Sequence, residues 1–345
     1  MSDVGDKTGI EWTDATWNPT TGCDQVSPGC DHCYALTQAK RLKAMGQPDY
    51  QTDGRPETSG PGFGLAMHPH RLDQPLRWTK PRRVFVNSMS DLFHPRVSDE
   101  FIARVWAVMA LAEQHTFQVL TKRPKRMRAL LSSNAFTDAV IDIAADHPLL
   151  DQRAARGQWP LTGWDATFPL PNVWLGTSVE DQTRANDRVP VLLDTPAAVR
   201  FLSCEPLLGP VELMFSRCAE HDFPGGFCIS CPNRQRLDWV IVGGESGKDA
   251  RPMQPDWARS LRDQCATAGV AFHFKQWGEW APTTRHGIGV LSDPREAYGE
   301  HVFDRKYTEF KWRRILRRVG KKAAGRELDG RTWDEYPAEA GDPRG

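Results

Sequence analysis

Six short apolar runs, rich in β-branched and aromatic residues, each end in a burst of small polar or charged residues. They are 83–93 (RVFVNSMSDLF), 115–124 (HTFQVLTKRP), 172–181 (NVWLGTSVED), 199–206 (VRFLSCEP), 237–247 (LDWVIVGGESG) and 270–277 (VAFHFKQW). Each apolar stretch has the length of a buried strand, and continuous apolarity suits a parallel sheet covered on both faces. Helical patterns lie between them. Residues 98–113 read as amphipathic, with Ser98 or Asp99 as N-cap; 123–131 follow the run at 115–124; 257–268 carry apolar positions at helical spacing. A further strand near 16–20 precedes a loop that runs into a helix. Strand, polar burst and helix recur about seven times. This rhythm predicts an α/β fold, a partial or complete parallel (βα) barrel.

Three regions interrupt the rhythm: a Gly-, Pro- and polar-rich stretch at about 46–70, a segment of mixed helical character at 134–165, and a cysteine-bearing insertion at 217–235. The barrel unit is expected over 1–280. A C-terminal extension over 281–345 contains a basic run at 311–322 (KWRRILRRVGKK) and then a polar tail.

In a parallel βα barrel, active sites form at the C-terminal ends of the strands. The polar bursts are therefore candidate chemistry: Ser88, Ser90 and Asp91; Thr121, Lys122 and Arg123; Thr177, Ser178, Glu180 and Asp181; Ser203, Cys204 and Glu205; Gly243, Gly244, Glu245 and Ser246; Lys275 and Gln276. The loop after the first strand shares that rim. It carries Cys23, Cys30 and Cys33 in TGCDQVSPGCDHCY, a C-x6-C-x2-C spacing. Three soft thiolates converging on one point make a metal site, and three rather than four leave a coordination position open. Residue chemistry alone leaves two occupants open: an iron–sulfur cluster, or zinc with His32 as a fourth ligand.

Composition narrows the classes. Lys plus Arg and Asp plus Glu number 44 each, so the formal net charge is zero. That argues against a strongly electrostatic, sequence-blind nucleic-acid binder but leaves room for a local basic groove. The first residues show no hydrophobic signal core, and no stretch of about 18 apolar residues is present to span a membrane. The expectation is a cytoplasmic protein without membrane association. There the eight cysteines are read as ligands or buried thiols rather than disulfides.

Secondary signals each carry a sharp and a bland reading. Cys218, His221, Cys228 and Cys231 offer the donor types of a structural zinc knuckle, and an unmetallated loop fits them equally. The turn at 242–247 (VGGESG) suits either an anion cradle or a tight turn in which only glycine tolerates positive φ. Cys204 is a candidate hydrogen-atom donor, although a buried thiol is the commoner case. Lys122, Arg123 and Lys275 suit a phosphate or carboxylate, or plain solvation. The basic run suits a nucleic-acid backbone or a solvated helical face. Trp277 and Trp280 suit base stacking or a hydrophobic lid.

Five segments, GIEWTDATWNPTTGC (9–23), FLSCEPLLGP (201–210), WVIVGGESG (239–247), FKQWGEW (274–280) and LDGRTWDEYP (328–337), make the chain similar to a phage-associated family of three-cysteine-motif proteins of undefined function. The cysteine loop after a first barrel strand resembles the radical S-adenosylmethionine (SAM) superfamily. The usual spacing there is C-x3-C-x2-C, whereas here the first gap is six. The resemblance implies a barrel of the radical SAM type. It implies a [4Fe–4S] cluster on Cys23, Cys30 and Cys33, with SAM on the open iron and an external electron donor. Reductive cleavage of SAM then yields a 5′-deoxyadenosyl radical that abstracts hydrogen. His32, Ser88, Ser90, Asp91, Thr177, Ser178 and Glu180 are the implied cofactor contacts. The expected function is a radical SAM enzyme acting on a nucleic-acid base or nucleoside, with Cys204, Glu205, Glu245 and Lys275 facing the substrate. Two alternatives belong to other classes: a zinc-binding nucleic-acid-binding or partner protein without redox chemistry, and a metal-dependent hydrolase using Asp91, Glu180, Glu205 and Glu245.

Overall fold

The computed structural model describes residues 8–50, 64–149, 168–217, 235–287, 296–298 and 313–337. The Cys218, His221, Cys228 and Cys231 group lies outside the described residues. Seven strands make one parallel sheet: β1 (Ala15–Trp17), β2 (Arg83–Val86), β3 (Thr116–Thr121), β4 (Val173–Ser178), β5 (Val199–Cys204), β6 (Trp239–Gly243) and β7 (Ala271–Gln276). Their order in the sheet is their order in the chain, and every neighbouring pair is parallel. The sheet curls into a half-barrel with β1 and β7 as its edges, so the partial form of the barrel is the one adopted.

Parallel neighbours require crossovers, and helices supply most of them: α1 (Tyr34–Ala44), α2 (Asp99–Leu111), α3 (Pro124–Leu131), α4 (Asn134–Ala145), α5 (Gln182–Leu193) and α6 (Pro255–Ala268). The Ser98 hydroxyl caps α2 by accepting from Phe101 N at 3.2 Å, and the Asp181 carboxylate caps α5 by accepting from Arg184 N at 2.9 Å. Asp181 is therefore a helix cap. Residues 98–113 read as an amphipathic helix, but α2 is buried on nearly every side, from Phe101 through Leu111 with only Arg104 exposed. The cause is α4, which covers the outer face and sets Phe136 5.9 Å from the Trp106 ring.

Strand alternation sorts side chains onto two faces. Val84, Val86, Phe117, Val119, Leu175, Leu202, Cys204, Val240, Val242, Phe272 and Phe274 join the main core with the helices. The concave interior holds a second, aromatic cluster of Trp12, Phe85, Trp174, Phe201, Trp239 and Ile241. Trp239 is its centre, 6.0 Å from both Trp12 and Trp174 and 5.9 Å from Phe201. This plug fills the lower part of the half-barrel and leaves the space above it for a site.

Past β7 the chain forms an antiparallel sheet of β8 (Trp280–Gly287), β9 (Glu296–Tyr298) and β10 (Arg313–Arg318), then a one-turn helix, α7 (Lys321–Ala324). The described part of the basic run at 311–322 thus lies mainly in a strand, with Lys321 and Lys322 opening α7. The chain then returns to the barrel. Phe274 N donates to Trp333 O at 2.9 Å, and Trp239 Nε1 donates to Glu335 O at 2.8 Å. This segment covers the β7 edge, which would otherwise present unpaired backbone groups. Among the described residues no helix is long and apolar enough to cross a membrane.

Candidate functional site

A cavity of about 410 Å³ opens at the C-terminal mouth of the half-barrel, above the aromatic plug. Its size falls within the roughly 300–1,000 Å³ of small-molecule sites. The loop carrying Cys23, Cys30 and Cys33 forms one wall, and all three thiols are free, half-buried and part of the lining. The loop leaves a ribbon in which Thr20–Thr21 pairs with Ala66–Met67. It makes a 3-10 turn at Pro28–Cys30 and enters α1 immediately after Cys33.

Two arginines from the opposite rim fasten this loop. Arg123, after β3, donates to Cys23 Sγ at 3.4 Å and to Asp24 O at 3.2 Å. Arg251, after β6, donates to Pro28 O at 2.8 Å and to Asp31 Oδ2 at 3.1 Å. His94 Nε2 lies 2.8 Å from Asp24 Oδ2. Burial, with the neighbouring Asp91 carboxylate, pushes the Cys23 thiol up to about 12 against the pull of Arg123.

The rim carboxylates are separately neutralised. Asp91 accepts from Thr121 Oγ1 at 2.7 Å, Phe93 N at 3.0 Å, Lys122 N at 3.0 Å and Arg123 Nη1 at 3.0 Å. Glu180 pairs with Arg188 at 3.0 Å and Glu205 with Lys275 at 3.0 Å. Glu245 accepts from Arg251 N, Nε and Nη2 at 2.7, 2.9 and 2.6 Å, and its Oε2 lies 3.1 Å from His32 Nδ1. Burial raises this carboxyl, yet the Arg251 hydrogen bonds outweigh it and hold it below the usual carboxylate range. Each of the four carboxylates thus has its own cation, and among the described residues no three of them bring oxygens within 4.8 Å of one another. Nor are the three sulfurs collapsed for a single ion: among the described residues, the one His/Cys/Asp/Glu trio with all ligand atoms within 4.8 Å lies elsewhere.

The family model described as "Protein of unknown function (DUF5131)" matches residues 7–337. The chain belongs to the DUF5131 family. No curated protein and no solved structure matches it. The matched region spans the cysteine loop, all seven strands of the half-barrel and the returning C-terminal segment.

In this DUF5131 chain the cavity gathers most of the expected rim residues. His32, Ser88, Ser90 and Asp91 line it beside the cysteines, and Ser178, Glu205, Glu245 and Lys275 close the far side. Of the residues expected to touch cofactor or substrate, three are not in the lining. Cys204 is fully buried in the helix-side core, and the thiol's environment is that of a packed apolar group. Thr177 is fully buried, with Oγ1 donating to Thr121 O at 2.8 Å. Both fail for one reason: alternation places their neighbours Ser203 and Ser178 in the cavity instead. Glu180 is 1% exposed and lies behind the cysteine loop, where a Cβ on Gly29 would sit 3.2 Å from its carboxyl. It braces that loop from below.

In the 242–247 turn the positive φ expected of glycine falls on Gly247, at 112°, and not on Gly243 or Gly244. Close approach demands them: a Cβ on Gly244 would lie 2.0 Å from Trp277 O, and one on Gly243 2.5 Å from Glu205 Oε1. Trp277 is buried, with Nε1 donating to Glu327 O at 2.8 Å, so it packs in the core and offers no stacking face. Sequence reasoning missed Arg251, which ties the cysteine loop to Glu245, and the Lys321 contribution to the lining; Ser203 is among the rim candidates but receives no role there. No motif flags Arg251; the strand phase set by Phe201 was the signal available for Ser203.

Proposed function

We propose that the chain is a radical SAM enzyme that holds a [4Fe–4S] cluster on Cys23, Cys30 and Cys33. The observation that carries this reading is three free thiols on one loop, lining one cavity at the C-terminal mouth of a parallel half-barrel. The donor set fits the group. A single zinc ion with Zn–S bonds of about 2.3 Å draws its sulfurs to about 3.8 Å apart, and these three thiols are not gathered that tightly. Three soft ligands spread around a wall suit the corners of a polynuclear cluster. When bound, such a cluster with SAM on its open iron supplies reductive SAM cleavage and hydrogen abstraction, fed by an external electron donor.

The chain's own residues then have distinct tasks. Arg123 sits 3.4 Å from Cys23 Sγ and favours its thiolate form. Arg251 and Glu245 hold the 28–32 stretch and the His32 ring against the β6 rim. Ser88, Ser90 and Ser178 bring hydroxyls to the cavity wall, and Lys122 Nζ donates to Ser178 Oγ at 3.3 Å. Ile10, Met89 and Leu120 supply an apolar lining that excludes water from a reactive intermediate. Hydroxyls and a lysine above an apolar floor suit a nucleobase or nucleoside as substrate.

The test is iron and acid-labile sulfide content after anaerobic reconstitution. Wild-type chain should bind about four of each, and Cys30→Ala should lose both with unchanged circular dichroism. Equal iron in the two proteins overturns the reading.

A further inference from the structure

We propose that Asp49, His68 and His70 form a separate site for one divalent transition-metal ion of the zinc class, at the base of the cysteine loop. Among the described residues this is the one trio of His, Cys, Asp or Glu whose ligand atoms all lie within 4.8 Å of one another. Asp49 Oδ1 is 3.4 Å from His68 Nδ1, and Asp49 Oδ2 is 3.4 Å from His70 Nε2. Donors around a tetrahedral ion, with bonds of about 2.0–2.1 Å, are spaced by about 3.4 Å. The Asp49 Oδ1–His68 edge thus already has the spacing of a coordination shell, and His70 Nε2 stands beside the other oxygen of the same carboxylate.

The local chain explains the grouping. Pro69 opens a 3-10 turn, Pro69–Arg71, that brings the two imidazoles of His-Pro-His together with ring centroids 5.6 Å apart. His68 is 6% exposed, and its Nε2 lies 2.8 Å from Thr21 Oγ1. The Thr21 hydroxyl can accept from Nε2–H, and in that tautomer Nδ1 turns its lone pair toward Asp49 Oδ1, where a cation would sit between two donors. An imidazole ligand oriented through its other nitrogen is the usual supporting arrangement around a metal.

Arg71 pairs with Asp49 Oδ2 and also donates to Asn18 O at 3.4 Å. It holds the carboxylate in place and leaves Oδ1 for the ion. Two imidazoles and one carboxylate form a borderline donor set with an open fourth position, which suits zinc over calcium or magnesium. None of the three residues lines the rim cavity. The ion would instead tie Asp49, just beyond α1, to the ribbon leading into the loop, because His68 N donates to Pro19 O at 2.8 Å and Thr21 stands two residues before Cys23.

The test uses the full chain, stripped with a chelator and reloaded with zinc. Bound metal and affinity are compared in wild type, His70→Ala, Asp49→Asn and Thr21→Val. His70 is 63% exposed, so its replacement leaves the fold alone, and Asp49→Asn keeps the side-chain shape. Each ligand variant should bind one zinc fewer per chain than wild type, whatever the cysteines take up. Thr21→Val should keep the stoichiometry but weaken that one site about 10–100-fold. Equal zinc content and affinity in wild type, His70→Ala and Asp49→Asn overturns the proposal.

Discussion

Replacing Arg251 with Met removes the guanidinium that fastens the cysteine loop and keeps most of the apolar stem. Four contacts go: Nε and Nη2 to the Glu245 carboxylate at 2.9 and 2.6 Å, Nη1 to Asp31 at 3.1 Å and Nη2 to Pro28 O at 2.8 Å. Glu245 is 5% exposed, so its carboxylate keeps only the Arg251 backbone N–H and His32. A hydrogen bond to a charged group contributes about 1.5–3 kcal/mol. The Asp31 contact is half-exposed and contributes close to nothing. Because Arg251 itself is one-third exposed, the net loss is about 2–4 kcal/mol, a large share of the about 5–15 kcal/mol of a typical domain.

The sign with pH follows from Glu245. In the wild type its carboxyl lies below 4.5, so the ionised form stabilises the fold above that value. Without the side chain of Arg251 the carboxyl rises from that lowered value, because burial is then opposed only by the Arg251 backbone N–H and His32. The deficit should therefore be largest at pH 7 and shrink as pH falls through the carboxylate range. Urea unfolding at several pH values, with hydrogen exchange over residues 28–33, reads both effects. A cycle with Glu245→Gln should show a coupling of about 1–3 kcal/mol. A loss under about 0.5 kcal/mol at pH 7 with unchanged protection of the loop refutes the argument.

Gly244→Ala should cost about 1–3 kcal/mol or more, because its Cβ meets Trp277 O at 2.0 Å and backbone cannot give way as a side-chain end does; chemical denaturation with an unchanged midpoint contradicts this. His273 is 1% exposed beside Trp239, both ring nitrogens lack a hydrogen-bond partner among the described residues, and burial pushes it down to about 4. Below pH 6.5 the unfolded chain takes up a proton that the folded chain refuses, so stability falls between 6.5 and about 4. At 1.36 kcal/mol per pKa unit the loss reaches at most about 3 kcal/mol. His273→Phe should flatten that part of the stability–pH curve in thermal melts from pH 7.5 to 4.5; an identical slope in both proteins rules it out.

Much of this fold is legible because a buried parallel strand has to be apolar along its whole length. All six runs became strands, and the polar bursts after them supply about half of the cavity wall. The first strand is shorter than the 16–20 pattern suggests, because Pro19 separates Ala15–Trp17 from the Thr20–Thr21 ribbon. Helix α5 is hard to see: it is largely polar, and Pro190 sits inside it. What a burst does not reveal is phase. Ser203 lines the cavity and Cys204 does not, a one-residue difference set by which face Phe201 occupies. Contacts such as Arg251 to Pro28, 223 residues apart, leave no local trace in composition or spacing.

The central claim is that Cys23, Cys30 and Cys33 hold a cluster with one iron open to SAM. It is tested most directly by the electron paramagnetic resonance spectrum of the anaerobically reconstituted, reduced protein, recorded with and without SAM. A [4Fe–4S]⁺ signal that changes on adding SAM is the predicted result. A sample that holds only zinc and shows no such signal contradicts the account.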